Sequence, residues 1–268
     1  MNYFSKLPSE IILLICKFYV TPKYKLLDWI DINNLDWNIL SINFYAIDLL
    51  KENPNKINWT NIALNTNAIE LIETNLDKIN FDYLSNNSSA IKLLLANFDK
   101  INWNNFSSNK NAIEILKKYP EKINWNILCE NSNAIELLND NFDKINFEIL
   151  SVNSKATCIL QNNLDKIDYD NLHFNTSKFA INLLTKNYDL IDWRELSGNE
   201  SAIELLEKNL DKVDWFELSG NCAAIHILEQ NIDKVGYENL SFNGSIFTID
   251  NNDYQNKVQD LLNFFVKI

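Results

Sequence analysis

The sequence predicts an all-α protein, an α-solenoid of tandem 22-residue helix-turn-helix repeats, and three observations predict it. A short phrase returns at a fixed period, as in Ile57-Asn58-Trp59, Ile79-Asn80-Phe81, Ile101-Asn102-Trp103 and Ile123-Asn124-Trp125. Asparagine fills the ninth position of every unit. Within a unit the apolar residues lie side by side or three to four apart, which is the spacing of a helix face. Ile and Trp also favour strands, but a β-solenoid or leucine-rich horseshoe would need apolar residues at alternating positions.

The units open at Leu35, Ile57, Ile79, Ile101, Ile123, Ile145, Ile167, Ile191, Val213 and Val235, giving nine full units and a degenerate tenth. Asp or Asn at the second position can accept early backbone N–H bonds, so it serves as N-cap of a short first helix. An aromatic follows at the third position and a small residue at the seventh, as in Trp103 and Ser107. The second helix carries Ala-Ile-x-Leu-Leu, for example Ala134-Ile135-Glu136-Leu137-Leu138, whose apolar members share one face.

The ninth-position asparagines run from Asn43 and Asn65 through Asn221 and Asn243. One reading makes each the cap of the second helix, with its side-chain oxygen on backbone N–H groups two or three residues on. The other is an exposed asparagine row that binds a ligand. A further asparagine ends most second helices, as at Asn75, Asn97 and Asn141, where a left-handed terminal residue is tolerated. The recurring Asp-Lys, as in Asp143-Lys144, reads as a solvated turn.

A single unit is too small to bury a core, so stability must come from stacking each unit on its neighbours. At helix spacings of about 8–10 Å, ten units predict an elongated superhelix about 80–100 Å long. Its exposed end faces need covers. Residues 1–34 supply the apolar run Ile11-Ile12-Leu13-Leu14-Ile15, with Ser9 or the preceding turn as cap and Pro8 at the helix start. Residues 244–268 supply a closing helix over roughly Tyr254 to Val266, with Tyr254, Val258, Leu261, Leu262 and Phe265 on one face. The domains read from the sequence are thus a 1–34 cap or docking segment, a 35–243 repeat array and a 244–268 cap.

Composition narrows function. The chain of 268 residues carries a net charge of -12, and its single arginine is Arg194. Phosphate binding needs clustered Lys and Arg, so neither nucleic acid nor an anionic membrane is an expected partner. The run Ile11 to Val20 is too short to span a bilayer and lacks the features of a signal peptide. Cys16, Cys129, Cys158 and Cys222 lie far apart, which points to a reducing, cytoplasmic compartment. No Gly-rich phosphate loop, nucleophile motif or metal-ligand spacing occurs, so the expectation is no enzyme activity, no cofactor and no metal. Cys129 takes the small seventh position and reads as a packed thiol.

Candidate partner-binding residues fall into three groups. Glu70, Lys92, Glu114, Glu136, Asn182, Glu204 and His226 recur at one outward place on the second helix and make a mainly acidic row suited to a basic protein partner. The seventh unit, Ile167 to Leu190, holds two extra residues near Thr176-Ser177-Lys178-Phe179 together with His173, a bend or a partner-contacting bulge at His173 and Lys178. Leu7, Pro8, Ile11 and Ile15 form the third group.

Leu7-Pro8-Ser9-Glu10-Ile11 followed by Ile15 resembles the opening of an F-box over about twenty residues. The resemblance implies docking to a Skp1-type adaptor and presentation of substrates to a cullin ubiquitin ligase. Residues 35–243 resemble the tandem repeats of giant DNA virus proteins of the Mimivirus kind, on units such as Asn131-Ser132-Asn133-Ala134-Ile135-Glu136-Leu137-Leu138. That resemblance implies a repeat scaffold without catalytic residues, working in the host cytoplasm.

Overall fold

The computed structural model describes residues 7–267, so residues 1–6 of the expected 1–34 segment lie outside the described residues. The protein is mostly helical. Most repeats begin with a short α-helix, such as Trp103–Ser108 or Trp125–Leu128, whose N-cap is the second-position Asp or Asn; the second unit has a 3-10 helix there, Asn61–Leu64, and the tenth has Gly236 as N-cap. Asn102 Oδ1, for example, accepts from the N–H groups of Asn104 and Asn105 at 3.1 and 3.2 Å. A second helix follows, in several units entered through a 3-10 turn, as in Ser88–Ala90 leading into Ile91–Ala96. A short 3-10 turn such as Phe98–Lys100 then closes the unit.

That closing turn is more than a solvated corner. Its lysine folds back over the aromatic ring at the third position, with Lys144 Nζ 4.5 Å from the Trp125 ring centroid and Lys234 Nζ 4.3 Å from that of Trp215. A cation over an indole face gains electrostatic attraction while its alkyl stem covers apolar surface. The asparagines expected to end second helices in a left-handed conformation do something else. Asn75 has φ -138° and ψ 39°, and no residue with a side chain has positive φ among the described residues. Its Nδ2 instead donates to the carbonyl of Leu71, as those of Asn97 and Asn141 do to Leu93 and Leu137. The side chain satisfies a free helix-end carbonyl directly, so no αL residue is required.

Neighbouring units are joined by two bridges, except that Ala63 leaves the second unit without the seventh-position one. At the seventh position the hydroxyl of Ser107 donates to the Trp103 carbonyl and accepts the N–H of Asn124 in the next unit, 3.0 Å away. At the ninth position Asn109 Oδ1 accepts the N–H of Asn111, in the turn that leads into its own second helix, while its Nδ2 reaches back to the carbonyls of Ser85 and Asn87 in the preceding unit, both at 2.9 Å. All ten ninth-position asparagines are buried, so the exposed ligand-binding row is excluded, and their oxygens close the turn ahead of the second helix rather than cap the helix itself. A buried primary amide has two donors and one acceptor oxygen to satisfy, and this arrangement uses all of them.

The expected open rod is overturned by the same bridges. Asn43, in the first unit, donates to the carbonyls of Ser241 and Asn243, in the tenth, at 3.0 and 3.3 Å. Ser241 Oγ accepts the N–H of Asp36 at 2.8 Å. Unit ten therefore meets unit one as most units meet their successors, and the circuit of ten closes. Two short strands, β1 (Tyr24–Leu26) and β2 (Phe247–Ile249), pair antiparallel beside this seam, with Tyr24 opposite Ile249 and Leu26 opposite Phe247.

Closure leaves no end faces to cover. The N-terminal helix, Ser9–Tyr19, starts after Pro8 as N-cap, and Ser9 is its first helical residue. It packs on the C-terminal helix, Asn251–Lys267, through Ile12, Cys16 and Val258, a cluster separate from the main core. The two helices expected to cap opposite ends of the array thus cap each other. Side chains beyond Phe265, Val266 among them, lie outside the described residues.

The bridges yield a direct test. Asn131→Ala and Asn43→Ala should each lose about 2–4 kcal/mol in urea unfolding, because every buried polar group left without its partner costs roughly 1–3 kcal/mol. A costly Asn131→Ala beside a near-neutral Asn43→Ala would mean that the circuit stands open in solution.

Candidate functional site

The N-terminal helix presents a bare apolar stripe. Ile11, Leu14 and Phe18 fall on its outer face with Leu7 just ahead of it, and Leu14 and Phe18 are 61% and 85% exposed. Of the residues singled out from the sequence, Leu7, Pro8 and Ile11 stand in this stripe, whereas Ile15 is half-buried. Leu14 and Phe18 were missed there. With its buried side turned to the C-terminal helix, the helix is apolar nearly all round, and only Glu10 and Lys17 relieve it. Exposed stripes of this kind mark contact surfaces, since scattered single apolar residues would not share one face.

The outward row on the second helices is exposed as expected, from Glu70 and Lys92 through Asn182 and Glu204 to His226. Part of it is engaged within the protein. Lys117 Nζ lies 3.0 Å from Glu114 and 3.8 Å from Glu136 in the next unit, and its hydrogen bond to Glu114 and that residue's charge hold its amine above the usual lysine range. His226 Nε2 sits 2.8 Å from Glu207 Oε1. These pairs are solvent-exposed and screened by salt, so they orient side chains more than they stabilise the fold.

In the seventh unit the two extra residues do not bulge as a loop. They extend the second helix at its start, giving a continuous helix Lys178–Lys186 capped by Ser177, while Asn199 still bridges back to the carbonyls of His173 and Asn175. A cavity of ≈ 600 Å³ lies along this helix between Lys178, Ile181, Thr185, Glu204 and Lys208. It brings together Lys178 and Glu204, which the sequence placed in different groups.

His173 is a correction. It is buried at 1% exposure, so its side chain does not form part of the surface. Its Nε2 accepts the N–H of Asp192 at 2.9 Å, and its Nδ1 lies 3.2 Å from the Asp170 carbonyl. An Nε2 that accepts requires the proton on Nδ1, which then donates to that carbonyl. The imidazole performs the bridging role that a serine hydroxyl performs elsewhere.

Cys129 is buried, and its Sγ donates to the Trp125 carbonyl at 3.2 Å, as read from its position in the repeat. Burial pushes its thiol up, because a thiolate is poorly solvated there, and does the same at Cys222. Cys158 is exposed. Among the described residues no group of three or more His, Cys, Asp or Glu converges as metal ligands. Nor is any helix among them long and apolar enough to cross a membrane.

At the seam, Tyr24, Phe44, Tyr45, Glu200, Cys222 and Gly244 line a cavity of ≈ 530 Å³ that sequence reasoning missed. The signal was available: Phe44 takes the tenth position, where every other unit has Ser, Thr, Cys, Gly, Lys or Glu.

No family model, curated protein or solved structure matches the chain.

Two measurements follow from these environments. His173→Ala should lose about 1–3 kcal/mol of unfolding free energy, since it strands the Asp192 N–H; an unchanged urea midpoint would contradict the bridge. Alkylation of the native protein at neutral pH should label Cys158 first, with Cys129 and Cys222 slow and accelerating as pH rises toward their elevated thiol range. Prompt labelling of Cys129 at neutral pH would count against its buried setting.

Proposed function

We propose that this chain is a non-enzymatic protein-interaction scaffold: an α-solenoid of 22-residue repeats closed on itself, carrying a two-helix element that docks a protein partner. The observation that carries the reading is the bare stripe of Leu7, Ile11, Leu14 and Phe18. A helix so apolar on its outer face costs solubility unless something covers it, and interface cores favour such aliphatic and aromatic anchors. The repeats would offer the second surface, with the mainly acidic row from Glu70 to Glu204 suited to a basic partner. The setting that goes with this reading is the cytoplasm of a host cell infected by a large DNA virus.

A second reading is favoured by the same helix. The phrase Leu7-Pro8-Ser9-Glu10-Ile11 opens it, and the resemblance to an F-box makes the stripe the face that would meet a Skp1-type adaptor, leaving the repeats to select a substrate. The pairing of this helix with the C-terminal helix supplies a packed partner for its inner side.

The double variant Leu14→Glu, Phe18→Glu separates stability from docking. Both side chains are exposed, so its melting temperature should stay within a few degrees of the parent, surface changes being worth about ±0.5 kcal/mol. In proximity labelling from expressing cells it should lose the partners that the parent recovers. Purified Skp1-type adaptor binding the parent and not the variant would select the adaptor reading; an identical partner set for both chains would end the claim that this helix docks anything.

A further inference from the structure

The seam keeps the bridges of the other junctions but adds side chains that depart from the repeat, Phe44 and Tyr24 among them. Tyr45 crosses from unit one onto unit ten, and its ring lies so close to Gly244 that a Cβ there would sit 2.7 Å from it. Glycine at this point is a requirement of the ring above it. Tyr45 in turn packs edge-on against Tyr24, with centroids 5.1 Å apart at 65°, and against Phe44, at 6.1 Å and 61°. Tyr24 is fixed by the pairing of β1 with β2 and by its backbone N–H, which donates to Asp48 Oδ2 at 3.1 Å. Three rings therefore form one side of the cavity, and Glu200 and Cys222, from units eight and nine, add to its lining.

Closing the circuit explains Tyr45 but not Phe44. The Phe44 ring is 48% exposed, at a position where small or polar side chains serve every other unit. An open recess with aromatic faces and one carboxylate has a definite chemical preference. Ring faces carry the negative end of the aromatic quadrupole, so they attract cations, and a carboxylate alongside repels anions and neutralises a bound positive charge. The chain uses the same chemistry within its units, where Lys56 and Lys78 lie 4.5 and 4.4 Å above the rings of Trp37 and Trp59. Among the described residues no lysine or arginine of the chain lies over Tyr24, Phe44 or Tyr45 in that manner.

We propose that the seam cavity is a receptor for a basic side chain, lysine or its methylated forms or arginine, presented by a partner protein. Phe44 and Tyr45 would take the alkyl stem and the cationic head on their ring faces, and Glu200 would supply the counter-charge. A protein that carries a net charge of -12 also draws basic partners toward it before contact. The inference rests on the scaffold reading for the nature of its partner. Its site shares no residue with the N-terminal stripe, so the two can fail separately.

The test is a titration of the intact, isotope-labelled chain, read from the ring resonances of Phe44 and Tyr45. The probes are an acetyl-capped tetralysine peptide, the same peptide with its side-chain amines acetylated, and tetramethylammonium chloride. The charged peptide should shift both rings saturably, and the acetylated one should not. Phe44→Leu, which keeps bulk and removes the ring, and Glu200→Gln, which keeps shape and removes the charge, should each weaken binding tenfold or more. Both sites are solvent-facing, so the variants' melting temperatures should match that of the parent. Equal binding of the acetylated peptide, or parent-like affinity in both variants, would overturn the proposal. Tetramethylammonium saturating the rings more tightly than the peptide would overturn the assignment to a protein partner. Loss of peptide binding in the Leu14→Glu, Phe18→Glu chain would show that the lysines had docked on the N-terminal helix, a failure of this site alone.

Discussion

A buried side-chain amide repeated ten times is the constraint on which the rest of the structure depends. Each ninth-position asparagine gives its oxygen to the backbone N–H two residues on, in the turn that follows it, and its nitrogen to backbone carbonyl oxygen of the unit before it. The local turn and contact between units are thereby locked to one side chain, so a unit cannot close the turn into its second helix well without also setting its distance to its neighbour. Aspartate would present a charge and lack the donors, and glutamine would misplace both groups by a methylene. The seventh position tolerates more. Serine is usual there, cysteine and histidine also bridge to the next unit's N–H, and Ala63 carries no acceptor at all.

Closure follows from the accumulated rotation between successive units, and a small change per junction would have produced an open superhelix instead. The longer seventh unit does not spoil the circuit, because its extra residues lie within a helix that starts early, and Asn199 keeps both of its bridges. Insertion is thus absorbed outside the asparagine ladder.

The consequence reaches the functional surfaces. A closed array needs no end caps, so the terminal helices are released from that duty and pair beside the seam. Pairing covers one side of the N-terminal helix and leaves the other bare. The seam is also the one junction where the repeat meets non-repeated chain, and its aromatic residues come from both: Phe44 and Tyr45 from unit one, Tyr24 from the strand before it. Both candidate surfaces therefore owe their existence to ring closure rather than to the repeat itself.

The sequence by itself determined the helical class, the unit boundaries, the capping residue at position two, the turn-closing asparagine at position nine, and the buried Ala-Ile-x-Leu-Leu face. These are local matters, set by periodicities and by side chains that reach backbone a few residues away. It also pointed to Leu7, Pro8 and Ile11, because a short apolar helix without a partner in its own segment is visible in one dimension. Only the tertiary structure decided that the array closes, that His173 is an internal bridge, that lysines cover the third-position rings, and that Phe44 and Glu200 face one cavity. Each of these joins residues from different units or from opposite ends of the chain. The rotation between units, which decides which of them meet, is a sum of small packing angles that no single motif encodes.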